Sequence, residues 1–282
     1  MHTHQYTVKS FDKENIAMRK ISGDFEDTTA ILFVHGLGGD QIAWDFTIEK
    51  LFDLPQSKTI SIYTFDLRGH GQSTRKIPMG ESIFVTQARD LSAVIEAMLR
   101  EHSYKNVIVV GHSLGSFVVQ QYARLFLHSQ VKKIVLVSAP SKSMGWKMPS
   151  WITRTLRYFP TTMPVMRNRK DHEVFRGSAD FYPKRLWSDM RSVGLRCYLV
   201  LQSLVSGQSV ETTQDSLPID TIIVTGDNDL YFSLTEMTRF QKKVQAKRMI
   251  VFPGANHLIP LNHPELLAQT LLSVADEEER HL

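Results

Sequence analysis

Six short apolar runs, spread along the chain, dominate its hydrophobic pattern. They are rich in β-branched side chains and lack the alternation of apolar and polar positions that is typical of a half-exposed strand. Runs of this kind indicate strands that are buried on both faces, as in a parallel sheet. The runs are Ala30–Val34, Ile60–Phe65, Val107–Val110, Ile134–Val137, Ile222–Thr225 and Met249–Phe252.

Segments with helical periodicity lie between these runs. Apolar side chains recur there every three or four residues, which places them on one face of a helix. The clearest segments are Phe84–Met98, Leu114–Leu125 and His263–Val274. Alternating strands and helices predict right-handed crossovers and a doubly wound, mostly parallel α/β sheet. We expect the residues before Ser22 to form an antiparallel strand pair.

The alternation breaks between residues 141 and 217. This stretch holds three of the four Trp residues and five of the eleven Met residues, in helix-like pieces punctuated by proline. We therefore predict a helical cap at residues 141–217, inserted between two late strands. Residues 1–140 and 218–282 would then form one α/β core domain.

The run Val107–Val110 leads into GHSLG, in which Ser113 lies between Gly111 and Gly115. Flanking glycines allow a buried strand to turn sharply into a helix, with the central residue exposed at the tip. A serine hydroxyl is a poor nucleophile by itself and needs a base, and the base needs a group that orients it. The motif therefore predicts a histidine and a carboxylate at later strand ends.

Two later strand ends supply these groups. Ile222–Thr225 leads to Asp227 and Asp229, and Met249–Phe252 leads to His257. The chain order of serine, acid and histidine is that of enzymes with a nucleophile elbow. The residues themselves leave both aspartates open as the acid.

The chain contains four sequence blocks: HGLGGD at 35–40, DLRGHGQS at 66–73, GHSLG at 111–115, and the late pair GDND and GANHLIPLNHPE. Together and in this order, these blocks resemble the α/β-hydrolase superfamily over nearly the whole chain outside the cap. The resemblance implies that Ser113 is the nucleophile and that His257 is the general base. It favours Asp229 over Asp227, because the family places the acid three residues after a glycine, here Gly226.

The same resemblance assigns the HGLG block to an oxyanion loop. It implies that the backbone N–H groups of Leu37 and Leu114 stabilise the tetrahedral intermediate, and that no cofactor is required. We expect Asp66 and Arg68 to hold the DLRGHG turn rather than to act in catalysis. The motif histidines are expected to be hydrogen-bonded turn residues rather than metal ligands: His35, His70 and His112.

A serine at the elbow excludes the haloalkane dehalogenases and epoxide hydrolases of the superfamily, which use aspartate there. The leading expectation is a carboxylic ester hydrolase that acts on apolar acyl substrates through an acyl-serine intermediate. The same three groups also serve thioester, C–C or amide hydrolysis and acyl transfer. A small-molecule receptor or signalling module with slow turnover is a further alternative.

The cap is rich in large apolar side chains, which either pack it onto the core or line an acyl pocket. The candidate substrate-binding residues are Trp146, Met148, Trp151, Met163, Phe181 and Trp187. Residues 141–200 also carry 12 Lys/Arg against 4 Asp/Glu, in a chain of net charge +4. The simplest interpretation is that these basic residues form a solvated face of the cap. A more specific hypothesis is that they attract an anionic carrier such as an acyl-carrier protein or coenzyme A.

The remaining features narrow the class of protein. Cys197 is the only cysteine, so no intramolecular disulfide can form. No zinc-ligand spacing, phosphate-binding glycine loop or nucleic-acid recognition motif is present, so we expect no metal and no nucleic-acid partner. We find neither a signal-peptide pattern nor an apolar stretch of membrane-spanning length, and the chain is expected to be cytoplasmic.

Overall fold

Eight strands form one sheet in the computed structural model, which describes residues 2–22, 28–55, 59–78, 82–139, 165–207 and 216–279. Each predicted apolar run lies within a strand, and the antiparallel pair expected before Ser22 is present. The strands are β1 His2–Lys9, β2 Asn15–Ser22, β3 Thr29–Val34, β4 Ile60–Phe65, β5 Asn106–His112, β6 Val131–Val137, β7 Asp220–Gly226 and β8 Arg248–Phe252.

The strand order is β1-β2-β4-β3-β5-β6-β7-β8. All pairs from β4 to β8 are parallel, and only β1 and β2 run antiparallel to their neighbours. This confirms the predicted doubly wound α/β fold. Because β5, β7 and β8 are parallel, their carboxyl ends meet at one edge of the sheet, where ligands bind in open α/β folds.

Helices cover both faces of the sheet. Successive residues of a strand point to opposite faces, so Leu32 of β3 packs into one apolar cluster and Ile31 and Phe33 pack into the other. Because both faces of the sheet are buried, the strands appear in the sequence as continuous apolar runs. The described helices are α1 Asp45–Phe52, α2 Ile83–Glu101, α3 Leu114–Leu125, α4 Arg169–Glu173, α5 Pro183–Val193, α6 Leu195–Gly207, α7 Leu234–Val244, α8 Ile259–Asn262 and α9 Pro264–Glu279.

Helices α4, α5 and α6 belong to the segment between β6 and β7 that we predicted as a helical cap. Residues 140–164 and 208–215 of the same segment lie outside the described residues. Val193 of α5 and Leu201 of α6 are buried in the main apolar cluster on one face of the sheet. These helices therefore pack directly onto the core.

The DLRGHG turn after β4 is held by buried ion pairs. Arg68 is fully buried and donates to Asp90 of α2 and to Asp12 in the turn between β1 and β2. Asp66 accepts hydrogen bonds from the backbone N–H groups of Gln41 and Gln72. These contacts join the turn to its surroundings, which agrees with the structural role expected for Asp66 and Arg68.

Candidate active site

Ser113 lies at a sharp turn between β5 and α3. Its backbone angles, φ 50° and ψ −117°, fall in a region that L-residues rarely occupy, which is a strained conformation typical of functional turns. A Cβ atom on Gly111 would lie 2.7 Å from the carbonyl oxygen of Gly115. A Cβ atom on Gly115 would collide with the carbonyl oxygen of Val34 in β3. The glycines therefore allow the close approach of strand and helix that exposes the serine.

A continuous hydrogen-bonded relay joins three of the predicted residues. The Oγ atom of Ser113 lies 2.9 Å from Nε2 of His257, and Nδ1 of His257 lies 2.8 Å from Oδ2 of Asp229. With the proton on Nδ1, the imidazole donates to the carboxylate and accepts from the serine hydroxyl. This arrangement allows the histidine to take a proton from the serine while the carboxylate fixes its orientation.

Of the two candidate aspartates, the structure brings only Asp229 to the imidazole. Its Oδ1 atom accepts the backbone N–H groups of Tyr231 at 2.8 Å and Phe232 at 3.1 Å, which leaves Oδ2 for the histidine. Asp227 is exposed and accepts instead from the backbone N–H of Gly254 at 2.6 Å.

The predicted oxyanion donors, the N–H groups of Leu37 and Leu114, belong to two different segments near Ser113. Leu37 follows β3 and contributes to the cavity that contains Ser113, and Leu114 is the first residue of α3. The N-terminus of a helix favours negative charge, since its first N–H groups have no partner within the helix. The two N–H groups therefore remain our candidates for an oxyanion hole.

Buried histidines hold the loops around the serine. Nε2 of His35 accepts the N–H of Leu67 at 3.0 Å, and Nε2 of His70 accepts the N–H of Gly38 at 3.2 Å. Nε2 of His112 lies 2.9 Å from the carbonyl oxygen of His257 and donates to it. Burial lowers the pKa of His35 to about 4 and that of His112 to about 3. These histidines are therefore neutral turn residues near pH 7.

A cavity of about 520 Å³ contains Ser113 and His257. Its volume lies within the range of sites for small-molecule ligands.

Of the expected substrate contacts, Phe181 lines the cavity, whereas Trp187 lies outside the lining and is 57% exposed. Trp146, Met148, Trp151 and Met163 lie outside the described residues. Apolar and aromatic lining residues include Trp44, Phe175, Leu186, Met190, Tyr198 and Leu261.

Two ionic residues of the cap were not singled out by the sequence motifs. Asp180 is only 2% exposed. Its carboxylate accepts the N–H of His257, a member of the relay, and the N–H of Leu230, the residue after Asp229. Arg167 was expected on a solvated basic face, but this expectation is wrong. Its side chain is 5% exposed, because Asp40 and Asp189 pair with it inside the protein.

Within the part of the chain that the structure describes, no group of three or more His, Cys, Asp or Glu side chains is arranged to hold a metal ion. The described helices also include none with the length and apolar character needed to cross a bilayer.

Comparisons with known proteins agree with the fold described above. A family model described as "alpha/beta hydrolase fold" matches residues 29–264. A segment of 136 residues, 47% of this chain, is 29% identical to protein phosphatase methylesterase 1 of Candida albicans and covers 36% of that protein. A segment of 122 residues, 42% of this chain, is 32% identical to the (lyso)-N-acylphosphatidylethanolamine lipase of Bos taurus and covers 32% of it. The match thus spans about a third of each relative.

The fold is also similar to that of solved structures. The esterase EaEST from Exiguobacterium antarcticum superposes with a TM-score of 0.71 over 97% of this chain and 100% of its own, at 18% identity. At that level of identity the likeness shows a shared fold and carries no information about substrate.

Proposed function

The chain belongs to the alpha/beta-hydrolase family, and from that premise we propose that it is a serine hydrolase that cleaves carboxylic esters of apolar acyl groups. The observation that carries the proposal is the relay of Ser113, His257 and Asp229 opening into a largely apolar cavity. The methylesterase and lipase relatives support hydrolysis in general.

In the proposed mechanism, Ser113 Oγ attacks the ester carbonyl while its proton passes to Nε2 of His257. Asp229 stabilises the imidazolium that forms. The carbonyl oxygen, now negatively charged, accepts the N–H groups of Leu37 and Leu114, each worth about 3 kcal/mol in related sites. The histidine then returns the proton to the leaving alkoxide, which departs as the alcohol.

Deacylation repeats these steps with water. His257 takes a proton from a water molecule, which attacks the acyl carbon of the acyl-serine. Collapse of the second tetrahedral intermediate breaks the bond to Ser113, whose oxygen regains the proton from the histidine, and the acid product is released. The cavity volume favours acyl groups of small to medium size, and no step requires a cofactor.

Labelling with a fluorophosphonate and turnover of a p-nitrophenyl ester panel test the proposal. We expect a covalent adduct on Ser113 of the wild type, with multiple turnover of short and medium esters. Ser113→Ala should lose the adduct and reduce kcat by several orders of magnitude, because only the remaining site groups would act. An unlabelled wild type that binds ligands tightly without turnover would favour the receptor alternative. Faster cleavage of thioesters or amides than of matched esters would favour those reactions.

The anionic carrier at the basic cap is a separate proposal. Arg167 is buried and paired with Asp40 and Asp189, and Arg169 pairs with Glu49 of the core. The exposed cations of the described cap that remain for a carrier are Lys170, Arg176, Lys184 and Arg191. If they attract a carrier, hydrolysis of an acyl-coenzyme A or acyl-carrier ester should weaken steeply with salt, while that of an uncharged ester should not. Equal salt dependence for both substrates would contradict it.

A further inference from the structure

A buried arginine of the cap reaches into the loop that we assign to the oxyanion site. Arg167 lies just before α4, and its guanidinium has three different acceptors. Nε donates to Asp40 Oδ2 at 3.1 Å, Nη1 donates to Asp189 Oδ1 at 2.7 Å, and Nη2 donates to the carbonyl oxygen of Gly38. Asp40 and Gly38 belong to the HGLGGD loop, whereas Asp189 belongs to α5 of the cap. Arg167 therefore joins the cap to this loop.

Gly38 is the residue directly after Leu37, whose N–H is a proposed oxyanion donor. Its own N–H donates to His70 of the core at 3.2 Å. Its carbonyl oxygen accepts from Arg167 and, at 3.3 Å, from the hydroxyl of Ser192 in α5. The N–H of Gly39, in the same peptide group as that carbonyl, donates at 3.0 Å to the carbonyl oxygen of Gly36, which belongs to the peptide group of the Leu37 N–H. The contacts of Arg167 with Gly38 are therefore one backbone hydrogen bond away from the Leu37 peptide.

The packing at this point leaves no room for a side chain on Gly38. Gly38 has φ +78°, and a Cβ atom built on it would lie 2.6 Å from Cβ of Asp189. His172 of α4 adds a contact to Asp40 Oδ1 at 3.1 Å. The cap therefore approaches the loop closely through several polar side chains.

Ionic contacts in the cluster act against the cost of burying its charges, although for Asp189 the effect of burial is larger and its pKa is raised. Burial by itself would raise the pKa of Asp40, but His172 and Arg167 lower it well below its ordinary value. Burial would lower the pKa of Arg167, but Asp40 and Asp189 raise it. A buried ion pair gives little net stability compared with apolar packing of the same volume. Stability alone is therefore a weak reason for placing a guanidinium here.

We propose that Arg167 is a positioning residue that holds the Gly38 peptide, and through it the Leu37 N–H, in the geometry that stabilises the oxyanion. The proposal rests on the proposed function and adds that the cap is part of the oxyanion machinery. Removing an oxyanion donor outright costs 10²–10³ in kcat in other serine hydrolases. Misplacing one should cost less, about 10- to 100-fold.

The test compares Arg167→Met with Arg239→Met, the same change at an exposed position of α7. For Arg167→Met, kcat for a p-nitrophenyl ester should fall about 10- to 100-fold with KM nearly unchanged. The affinity for an acyl trifluoromethyl ketone, whose adduct with Ser113 places an alkoxide in the oxyanion site, should fall by a similar factor. The affinity for the matching methyl ketone should stay the same. Arg239→Met should leave all these values as in the wild type.

The ratio of the two ketone affinities separates positioning from a purely structural role. If Arg167→Met lowers the melting temperature and kcat but leaves the ratio at the wild-type value, the proposal is wrong. If that variant does not fold, Arg167→Lys provides the same ratio, because its single ammonium cannot reach all three acceptors. A reduced ratio supports positioning, and a wild-type ratio overturns it. Failure of the proposed function would appear earlier, as a wild type that forms no ketone adduct and shows no turnover.

Discussion

The proposed catalytic centre has two halves that are held in place by different means. The core half consists of Ser113, Asp229 and His257 on loops at the sheet edge, where strand ends and backbone N–H groups set their positions. The cap half consists of Arg167, Asp180 and Asp189. Arg167 and Asp180 contact core loops, and Asp189 pairs with Arg167 inside the cap. The core half contains the groups that we expect to react, and the cap half contacts the backbone that carries them.

This difference implies a graded response to mutation. A change in the core half removes a group that changes charge or forms a bond during the reaction. A change in the cap half leaves every reacting group present but alters its placement. We therefore expect losses of rate that are large in the core half and intermediate in the cap half.

The largest effect in this comparison should come from Asp229→Asn. The amide cannot stabilise the imidazolium and can favour the wrong tautomer of His257, so kcat should fall about 10⁴-fold. Asp227→Asn is the matched control two residues away, and it should change kcat less than twofold. Ester kinetics and thermal melting of both variants provide the measurement. Similar losses for the two variants would mean that the carboxylates share the role.

A smaller loss is expected from Asp180→Asn in the cap half. Asp180 accepts the N–H of His257 at 2.8 Å and that of Leu230 at 2.9 Å, and an amide can accept only one of them. An unsatisfied buried N–H costs about 2 kcal/mol, which corresponds to about 30-fold in kcat if the imidazole moves in response.

The matched control for Asp180→Asn is Glu173→Gln, an exposed carboxylate of α4 with the same change in charge. Its kcat and melting temperature should equal those of the wild type. If Asp180→Asn melted at a lower temperature but retained wild-type kcat, the cap half would stabilise the fold without orienting the base.

The core half follows from local sequence. The turn at Ser113 is encoded within five residues, and parallel strands bring the ends of β7 and β8 to the same edge as β5. The structure accordingly brings Ser113, Asp229 and His257 together as predicted. The sheet itself was predictable for the same reason, because each strand is a separate apolar run.

The cap half was not predictable in this way. Arg167 and its acceptor Asp40 are separated by 127 residues, and the local sequence RNRK does not distinguish Arg167 from Arg169. Packing of the cap against the oxyanion loop buries the first and leaves the second exposed. The side of α5 that faces the cavity is likewise decided by packing, which is why Trp187 was predicted as a substrate contact and Met190 was not.

Two groups next to these halves, His112 beside Ser113 and Asp40 against Arg167, should respond differently to acid. Burial lowers the pKa of His112 to about 3, whereas an unfolded histidine titrates near 6.5. The stability that its neutral form provides is complete above about pH 6.5 and is lost as pH falls toward 3. The pKa of Asp40 in the buried cluster is also lowered, but a carboxylate with an ordinary value near 4 contributes no such loss between pH 6.5 and pH 5.

Urea unfolding between pH 7 and pH 5 tests this difference. Below pH 6.5, the unfolding free energy of the wild type should fall more steeply than that of His112→Asn, by up to about 1.4 kcal/mol per pH unit. The comparison of variants is needed because burial raises the pKa of Asp66 to about 6, which acts in the opposite direction over the same range. Parallel slopes for wild type and His112→Asn would contradict the expectation.

The smallest effects should come from the cavity face of α5, and they test where the cap half ends. Met190 lines the cavity and Trp187 does not, although both belong to the same helix. Met190→Ala removes apolar surface from the acyl site, so KM for a hexanoate ester should rise several-fold while KM for the acetate ester stays nearly constant. Trp187→Ala should change both values less than twofold. A larger effect of Trp187→Ala on the longer ester would show that this exposed tryptophan contacts bound substrate, and the cap half would then include a surface beyond the described cavity.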